Sequence, residues 1–568
     1  MDTTVTTRWK IAEPISAAAQ QELAAYPRVL QQLLFNRGIT TAKAAEVYLN
    51  GGGSRYDPFE LKNMAAAVGR ILEAIDNREK IVIYGDYDAD GVTATALLNQ
   101  ILVNLGANVQ PYIPDRVDEG YGLNMDALDR LYADGANLII TVDCGIRSLD
   151  EIKHAYEIGL EMIVSDHHEP AANISDHAIV ICPKQMDDLY PEKNLAGVGV
   201  AFKIAEALAS QRPLKSCQLE DVLDLVAVGT VADLVPLTGE NRSLVQAGLE
   251  VLRGGRRQGL FSLMQAVGVD IQNANAGSIG FGIGPRINAA GRLEQANPAL
   301  DLLLSEDLLQ TGMLAQQLDD LNQERKSITQ WIQEEAEKQA MDDGDNFLLF
   351  AAHPDFREGV VGLAASRLTD SYYRPSVVGH SGEETTRASC RSIHEFHITK
   401  ALDECADLLV RHGGHAMAAG FTVRNENLDE LMARLKAIAR RELAGQELHP
   451  EYKADIALEL HELHPEILQS IAMLEPTGQK NPPARFVSRN LRVTRSRQVG
   501  KDHSHLKMTI TDGQVFFDAI AFRQGHWYNN MPEYIDILYS YETNEFNGRV
   551  TLQLNVKDIK PSEEEEEK

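Results

Sequence analysis

Met162-Ile163-Val164-Ser165-Asp166-His167-His168-Glu169 sets a short apolar run directly against a carboxylate and two imidazoles. The same arrangement occurs twice upstream. Asp143 follows Leu138-Ile139-Ile140, and Asp86, Asp88 and Asp90 follow Ile81-Val82-Ile83. The patterning predicts strands at 81–84, 137–142, 162–164 and 178–181, with helices at 92–105 and 149–158 between them. Strands alternating with helices imply βαβ units and a largely parallel sheet. In open α/β folds the C-terminal ends of such strands are where ligands gather.

Carboxylates at 86, 88 and 90 would share one face if the segment stayed extended, with Gly91 allowing a sharp turn into the helix. Without a counter-ion such a cluster repels itself, and a divalent cation is the usual remedy. A helix cap accounts for one of these acids, not for three. Asp143, Asp166, His167 and His168 add donors from neighbouring strand ends. Asp233, in Gly229-Thr230-Val231-Ala232-Asp233-Leu234-Val235-Pro236 after the apolar run 222–228, adds another. Oxygen ligands with one imidazole suit Mn²⁺ or Mg²⁺, whereas zinc would bring more His or Cys. A pair of ions about 3.5–4 Å apart is the arrangement expected of a phosphoester hydrolase.

The 568 residues are too many for one core. Apolar content of 44% and charged content of 24% are those of an ordinary globular chain. No signal peptide or membrane-length apolar run is read, and a cytoplasmic protein is expected. Five scattered cysteines (Cys144, Cys182, Cys217, Cys390, Cys405) form no CxxC pair and are expected to be reduced. Cys144 beside Asp143 is read as a packing residue rather than a nucleophile. The net charge of −29 argues against binding nucleic acid, but its distribution is uneven. Arg485, Arg489, Arg492, Arg495, Arg497 and Lys501 fall in one short basic block. It reads either as a solvated face or as a phosphate-facing surface, and the glutamates at 563–567 read as a disordered acidic tail.

Organisation follows the same cues. Residues 1–54 read as a helical segment ending in a flexible Gly51-Gly52-Gly53-Ser54 break. Residues 55–299 form the α/β unit just described. Residues 300–345 read as a long amphipathic connector broken only at Gly312, and 346–445 as a second, smaller α/β domain. Residues 446–560 hold short β runs with turn signals at Asp512-Gly513 and Asn547-Gly548, which suggest a small antiparallel barrel. Phe516, Phe517, Phe522, Trp527 and Tyr528 there could stack on bases or simply fill the core. Residues 561–568 are the tail.

This combination resembles the DHH phosphoesterase superfamily, named for the run seen here as Asp166-His167-His168. LAGVGVAF (195–202), VGTVADLVPL (228–237), GPRINAAGRL (284–293), EGVVGLAASRL (358–368), ASCRS (388–392) and GGHAMAAGF (413–421) are similar to RecJ-type exonucleases. So are LEPTGQKNP and the β-rich region after it. The resemblance implies a parallel-sheet DHH domain, a long helical connector, an α/β DHHA1 domain and an OB-fold barrel. It implies hydrolysis of single-stranded DNA from the 5′ end to mononucleotides, with two Mn²⁺ or Mg²⁺ ions. DNA repair and recombination would be the setting, with single-stranded-DNA-binding protein and helicases as partners. Asp88 and Asp90 would each hold one ion with Asp143 bridging, and His167 and Asp233 would complete the second site. His168 would touch the scissile phosphate or support the site, Asp166 would orient its neighbours, and Asp86 would lie behind the ligands. Arg286, Ser389, Arg391 and His415 would form a pocket for the 5′ phosphate. Three departures touch rate and preference: Tyr84 stands where some members have a metal-binding His, Cys390 interrupts a GSGRS-like run, and Lys480 alters a more Gly- and aromatic-containing stretch. Two alternatives stay open: a phosphodiesterase of short oligoribonucleotides or cyclic dinucleotides, and a non-catalytic replication scaffold.

Overall fold

The structure, a computed structural model, describes residues 7–50, 55–115, 119–120, 122–344, 347–500, 502–546 and 549–562. The Gly51–Ser54 break, Lys501, the Asn547-Gly548 turn and the acidic tail lie outside the described residues.

The first domain is built on five parallel strands: β1 (Lys80–Gly85), β2 (Asn108–Tyr112), β3 (Leu138–Val142), β4 (Glu161–Ser165) and β5 (Ile179–Ile181). Their order is β2-β1-β3-β4-β5. Ile81 and Ile83 pack into the core on one face, Val82 and Tyr84 into the core on the other. Burial on both faces is why these strands read as unbroken apolar runs. The chain leaves β1 in one direction for β2 and then passes to β3 on the opposite side. The crevice outside β1 and β3 is therefore the topological switch point.

Around the sheet lie α1 (Ala89–Leu105), α2 (Gly197–Gln211), α3 (Leu223–Ala232), α4 (Gly239–Arg253) and α5 (Gly284–Leu293). Two expectations are corrected here. Asp90 lies inside the first turn of α1, not in an extended segment, because Asp88 caps the helix two residues earlier. The apolar run before Asp233 is α3, a helix buried almost all round, with Asp233 as its C-cap. Asp233 thus comes from a helix end and not a strand tip.

The connector is a helix over Asn297–Leu304 followed by α6 (Leu308–Asp343), a 36-residue helix about 54 Å long. The break falls between these two helices. Asp307 caps α6 by accepting a hydrogen bond from the Gln310 N–H, and α6 passes through Gly312 without interruption. An interior glycine costs a helix only about 1 kcal/mol.

The second domain contains β6 (Leu349–His353), α7 (Glu358–Tyr372), β7 (Ser376–Ser381), β8 (Thr385–Arg391), β9 (Leu409–His415) and β10 (Ala418–Arg424). The sheet order is β9-β10-β8-β7-β6, with only β6–β7 parallel. The C-terminal region holds β11 (Phe486–Val499), β12 (His505–Thr511), β13 (Phe516–Ala521), β14 (Tyr534–Phe546) and β15 (Arg549–Pro561). Their order β11-β12-β13-β15-β14 closes through β11–β14 into a barrel. It is not wholly antiparallel, since β13 and β15 run parallel.

The N-terminal segment is not simply helical, and it is not separate. A strand at Arg8–Ile11 pairs in parallel with Glu451–Ala454 beside the barrel. Leu30, Leu33 and Leu34 from the helix at Arg28–Asn36 share one core with Phe486, Leu491 and Ile510. Arg242 of α4 ties this module to the first domain. Its guanidinium donates to the carbonyls of Tyr48, Leu474, Glu475 and Pro476 and lies 3.8 Å from the Tyr48 ring. Among the described residues no helix is long and apolar enough to cross a membrane, and all five cysteines are free thiols.

Candidate active site

The strand ends place the donors and the helices lock them. Asp88 caps α1 with one carboxylate oxygen, accepting from the N–H groups of Asp90 and Gly91 at 2.9 and 3.1 Å. Asp90 receives the N-terminus of α2, with the Gly197 and Val198 N–H groups donating at 2.7 and 2.8 Å. Asp143, the first residue after β3, adopts a left-handed φ of 63°, a costly backbone for a non-glycine residue. Asp166 orients its neighbours: Oδ1 accepts from the His167 and His168 N–H groups and lies 2.8 Å from His168 Nδ1, and Oδ2 accepts from Ile146 N–H.

Three donor groups result: Asp86, Asp88 and Asp143; Asp143, His167 and His168; and Asp90, His167 and Asp233. Within each group the ligand atoms lie within 4.8 Å of one another. Asp143 and His167 belong to two groups each, so the donors form one continuous double site. His167 Nε2 lies 3.0, 3.6 and 3.9 Å from oxygens of Asp143, Asp233 and Asp90. Although close, His167 Nε2 and Asp143 Oδ1 are not in hydrogen-bonding geometry, and both are buried without a hydrogen-bond partner. Buried polar atoms of that kind are rare unless something else meets them. Divalent cations fit.

The electrostatics agree. Burial, then the charge of Asp88, raises the Asp90 carboxyl to about 7. Burial, then Asp90 and Asp88, raises Asp233 to about 9, and burial with four neighbouring acids holds Asp143 well above the usual range. Burial, then the neighbouring His168, lowers His167 to about 3, so its lone pair is available at neutral pH. His168 is different. Burial opposes its charge, but the hydrogen bond to Asp166 and the fields of Asp90 and Asp86 raise its pKa, and 42% of its side chain is exposed.

Asp86 is buried and sits in a donor group with Asp88 and Asp143, and so moves from a supporting position to a donor position. Tyr84 points to the opposite face of the sheet, where its hydroxyl donates to the Gly122 carbonyl. Cys144 is buried, and burial pushes its thiol well up, as a packing residue requires.

Several contributors carry no signal in the spacing. A Cβ at Gly197 would stand 2.6 Å from Asp143 Cβ, and one at Gly229 would stand 2.8 Å from Asp90 Oδ1. Gly91 is needed because a Cβ there would stand 2.5 Å from the Asp86 carbonyl oxygen, not to make a turn. Asn288 of α5 accepts from the Ala89 N–H at 2.7 Å, and Gly291 packs against Tyr87. Lys184, paired with Glu169, lowers the pKa of both His167 and Asp233.

The expected anion pocket is only partly assembled. Ser389 and Arg391 lie together on β8 beside Gly362 of α7, and Arg391 Nε donates to Ser366. No carboxylate pairs with Arg391 among the described residues. His415 shares their row and sheet face, but two strands away, about 10 Å. Arg286 is committed to Asp319 at 2.9–3.0 Å and to the carbonyls of Phe281 and Gly282. On the barrel, Arg492, Arg495 and Arg497 are exposed along β11, with Arg492 paired to Glu533 and Arg489 4.0 Å from Asp536. Arg485 leaves this row, lying near Tyr452 and Lys557. Phe516, Phe522 and Tyr528 are exposed, whereas Phe517 and Trp527 pack against the barrel core.

Family models match three segments: the DHH family N-terminal domain at 80–230, the DHHA1 domain at 344–441 and the RecJ OB domain at 454–558. The single-stranded-DNA-specific exonuclease RecJ of Bacillus subtilis is 40% identical over 98% of this chain and 71% of its own length. That of Escherichia coli is 34% identical over 94% and 96%. Among solved structures, RecJ of Thermus thermophilus in complex with Mn²⁺ superposes with a TM-score of 0.85 at 30% identity, over 98% of this chain and 80% of that one. The same protein with Mg²⁺ gives 0.79 at 28% identity, over 98% and 79%. The chain belongs to the family of the single-stranded-DNA-specific exonuclease RecJ.

Proposed function

We propose that this chain is a Mn²⁺- or Mg²⁺-dependent exonuclease that degrades single-stranded DNA from the 5′ end to mononucleotides. The double donor site at the switch point carries the reading, and relatives named for that substrate, one of them solved with each of these ions, support it. We further propose a cytoplasmic setting in DNA repair and recombination, with single-stranded-DNA-binding protein and helicases as partners.

One ion would be held by Asp88, Asp86 and Asp143, and the other by Asp90, His167 and Asp233, with Asp143 shared. Such ions supply Lewis acidity at the phosphoryl oxygens and lower the pKa of water. The protein's part is placement. Asp88, Asp90 and Asp143 are fixed by backbone hydrogen bonds and by glycines that admit no Cβ, so little reorganisation is needed during reaction. His168, whose protonated form is favoured by its hydrogen bond to Asp166, would hold a phosphoryl oxygen of the scissile group. Ser389 and Arg391 would receive the 5′ phosphate, a guanidinium without an acid partner being suited to one. Arg492, Arg495 and Arg497 would follow the backbone of the strand.

Asp143→Ala tests the reading. Mn²⁺-dependent release of nucleotides from a 5′-phosphorylated single strand should vanish while the circular dichroism spectrum is unchanged. Retained release overturns the assignment. Removing the barrel is a poor test, because the N-terminal helices would lose their core.

A further inference from the structure

Phe281 is 86% exposed. One exposed aromatic means little, but this one sits in an unusual place. It lies at the centre of Gly280-Phe281-Gly282 within a π-helical turn spanning Ser278–Ile283. π-turns are rare and are frequently found at functional sites. The turn is not loose. Arg286 Nη1 donates to the carbonyls of Phe281 and Gly282 at 3.4 and 2.9 Å, and Arg286 is itself held by Asp319.

The turn is also docked on the end of α3 that carries Asp233. A Cβ at Gly280 would lie 3.9 Å from Val231 Cγ1, and one at Gly284 would lie 3.1 Å from Ala232 Cβ. Val231 and Ala232 immediately precede Asp233. On the other side of Asp233 stands Leu234, 71% exposed with a left-handed φ of 62°. Two apolar side chains are thus presented to water from the elements that meet at one metal-site carboxylate. A phosphate gains nothing from such a lip, whereas the flat face of a base does.

We infer that Phe281 is a stacking platform for an unpaired base of the strand whose phosphate reaches the metal centre, an inference that rests on the nuclease reading above. A base is tethered to its phosphate by one sugar, and so falls naturally on an apolar group beside the site. Bases within a duplex already have both faces covered, so the platform selects for a single strand. Phe281 acts as a positioning residue.

The experiment uses the full-length chain and a 5′-phosphorylated oligonucleotide carrying 2-aminopurine at each of the first four positions in turn. In EDTA, the wild-type protein should quench the probe at one position by stacking. Phe281→Ala should abolish that quenching and raise KM about tenfold, with kcat and calorimetric Mn²⁺ affinity little changed. Phe281→Tyr and Phe281→Trp should restore quenching, and Phe281→Leu should not. Wild-type quenching and KM in the Ala variant would overturn the inference while leaving the nuclease reading intact. A wild-type protein that cleaves no single strand with Mn²⁺ would overturn the nuclease reading instead.

Discussion

The metal centre and the outer face of the barrel are both charged, yet they are built in opposite ways. At the metal centre Asp86, Asp90, Asp143, Asp166 and His167 are buried, and like charges stand within a few ångströms of one another. On the barrel, Arg492, Arg495 and Arg497 extend into water along a single strand. The first arrangement is unfavourable until a cation enters, and its rigidity keeps the geometry in readiness. The second is comfortable in solvent, tolerant of small movements and open to screening by salt. A site that breaks bonds needs the first; a surface that follows a flexible strand needs only the second.

Substitutions should therefore act very differently in the two regions. The largest effect is expected at the donors. Asp90→Ala should lower kcat by at least about a thousandfold, because removing it strips an ion of its deepest ligand, and steady-state assays with Mn²⁺ would show it. Gly197→Ala leaves every ligand in place but forces Asp143 aside. A displacement near 1 Å can cost about a hundredfold, so activity should fall by that order while the fold persists by circular dichroism. If Gly197→Ala were harmless, the claim of rigidity would fail.

A third prediction concerns pH. Asp90 and Asp233 have folded-state pKa values raised to about 7 and about 9, above the unfolded value near 3.9. In the metal-free protein they contribute stability that is fully present below about pH 4. That contribution is lost as pH rises through about 7 and about 9. Cations bind the ionised carboxylates, so Mn²⁺ affinity should rise from pH 6 to pH 9. The gain in melting temperature on adding Mn²⁺ should be larger at the upper end, and calorimetry or thermal melts across that window would check the sign.

The smallest effects belong to the barrel. Arg495→Ala or Arg497→Ala should raise KM several-fold on long strands, leave kcat unchanged and reduce the salt slope of binding by about one unit each. Binding titrations at several salt concentrations measure this. A loss of kcat would place these arginines closer to the chemistry than the comparison allows.

What could be read from the chain before its structure follows from the range of each interaction. The placement of Asp88, Asp143, Asp166 and His167 at the ends of the strands is legible because each follows an apolar run closely, and that juxtaposition is local. The backbone settings of Asp90 and Asp233 are not legible, because a single capping carboxylate and a helix buried all round leave no periodicity to reveal them. Gly197, Gly229, Gly291 and Asn288 had no visible purpose, since each is explained by a group many residues away. The connector breaks at 305–307 rather than at Gly312, through which the helix runs uninterrupted. The pocket residues Arg286 and His415 illustrate the same limit, because only the folded chain shows that one is already occupied by Asp319 and the other lies two strands away.

The pairing of Arg8–Ile11 with Glu451–Ala454, and of the leucines at 30, 33 and 34 with the barrel core, has a consequence for biosynthesis. Leu30, Leu33 and Leu34 must wait for barrel strands made more than 400 residues later before their apolar side finds shelter. More than 400 intervening residues have time to fold first, and a product ending before the barrel would carry that helix with its apolar side uncovered. Chaperone dependence and aggregation should accordingly be greater in C-terminally shortened forms than the loss of one small barrel would suggest.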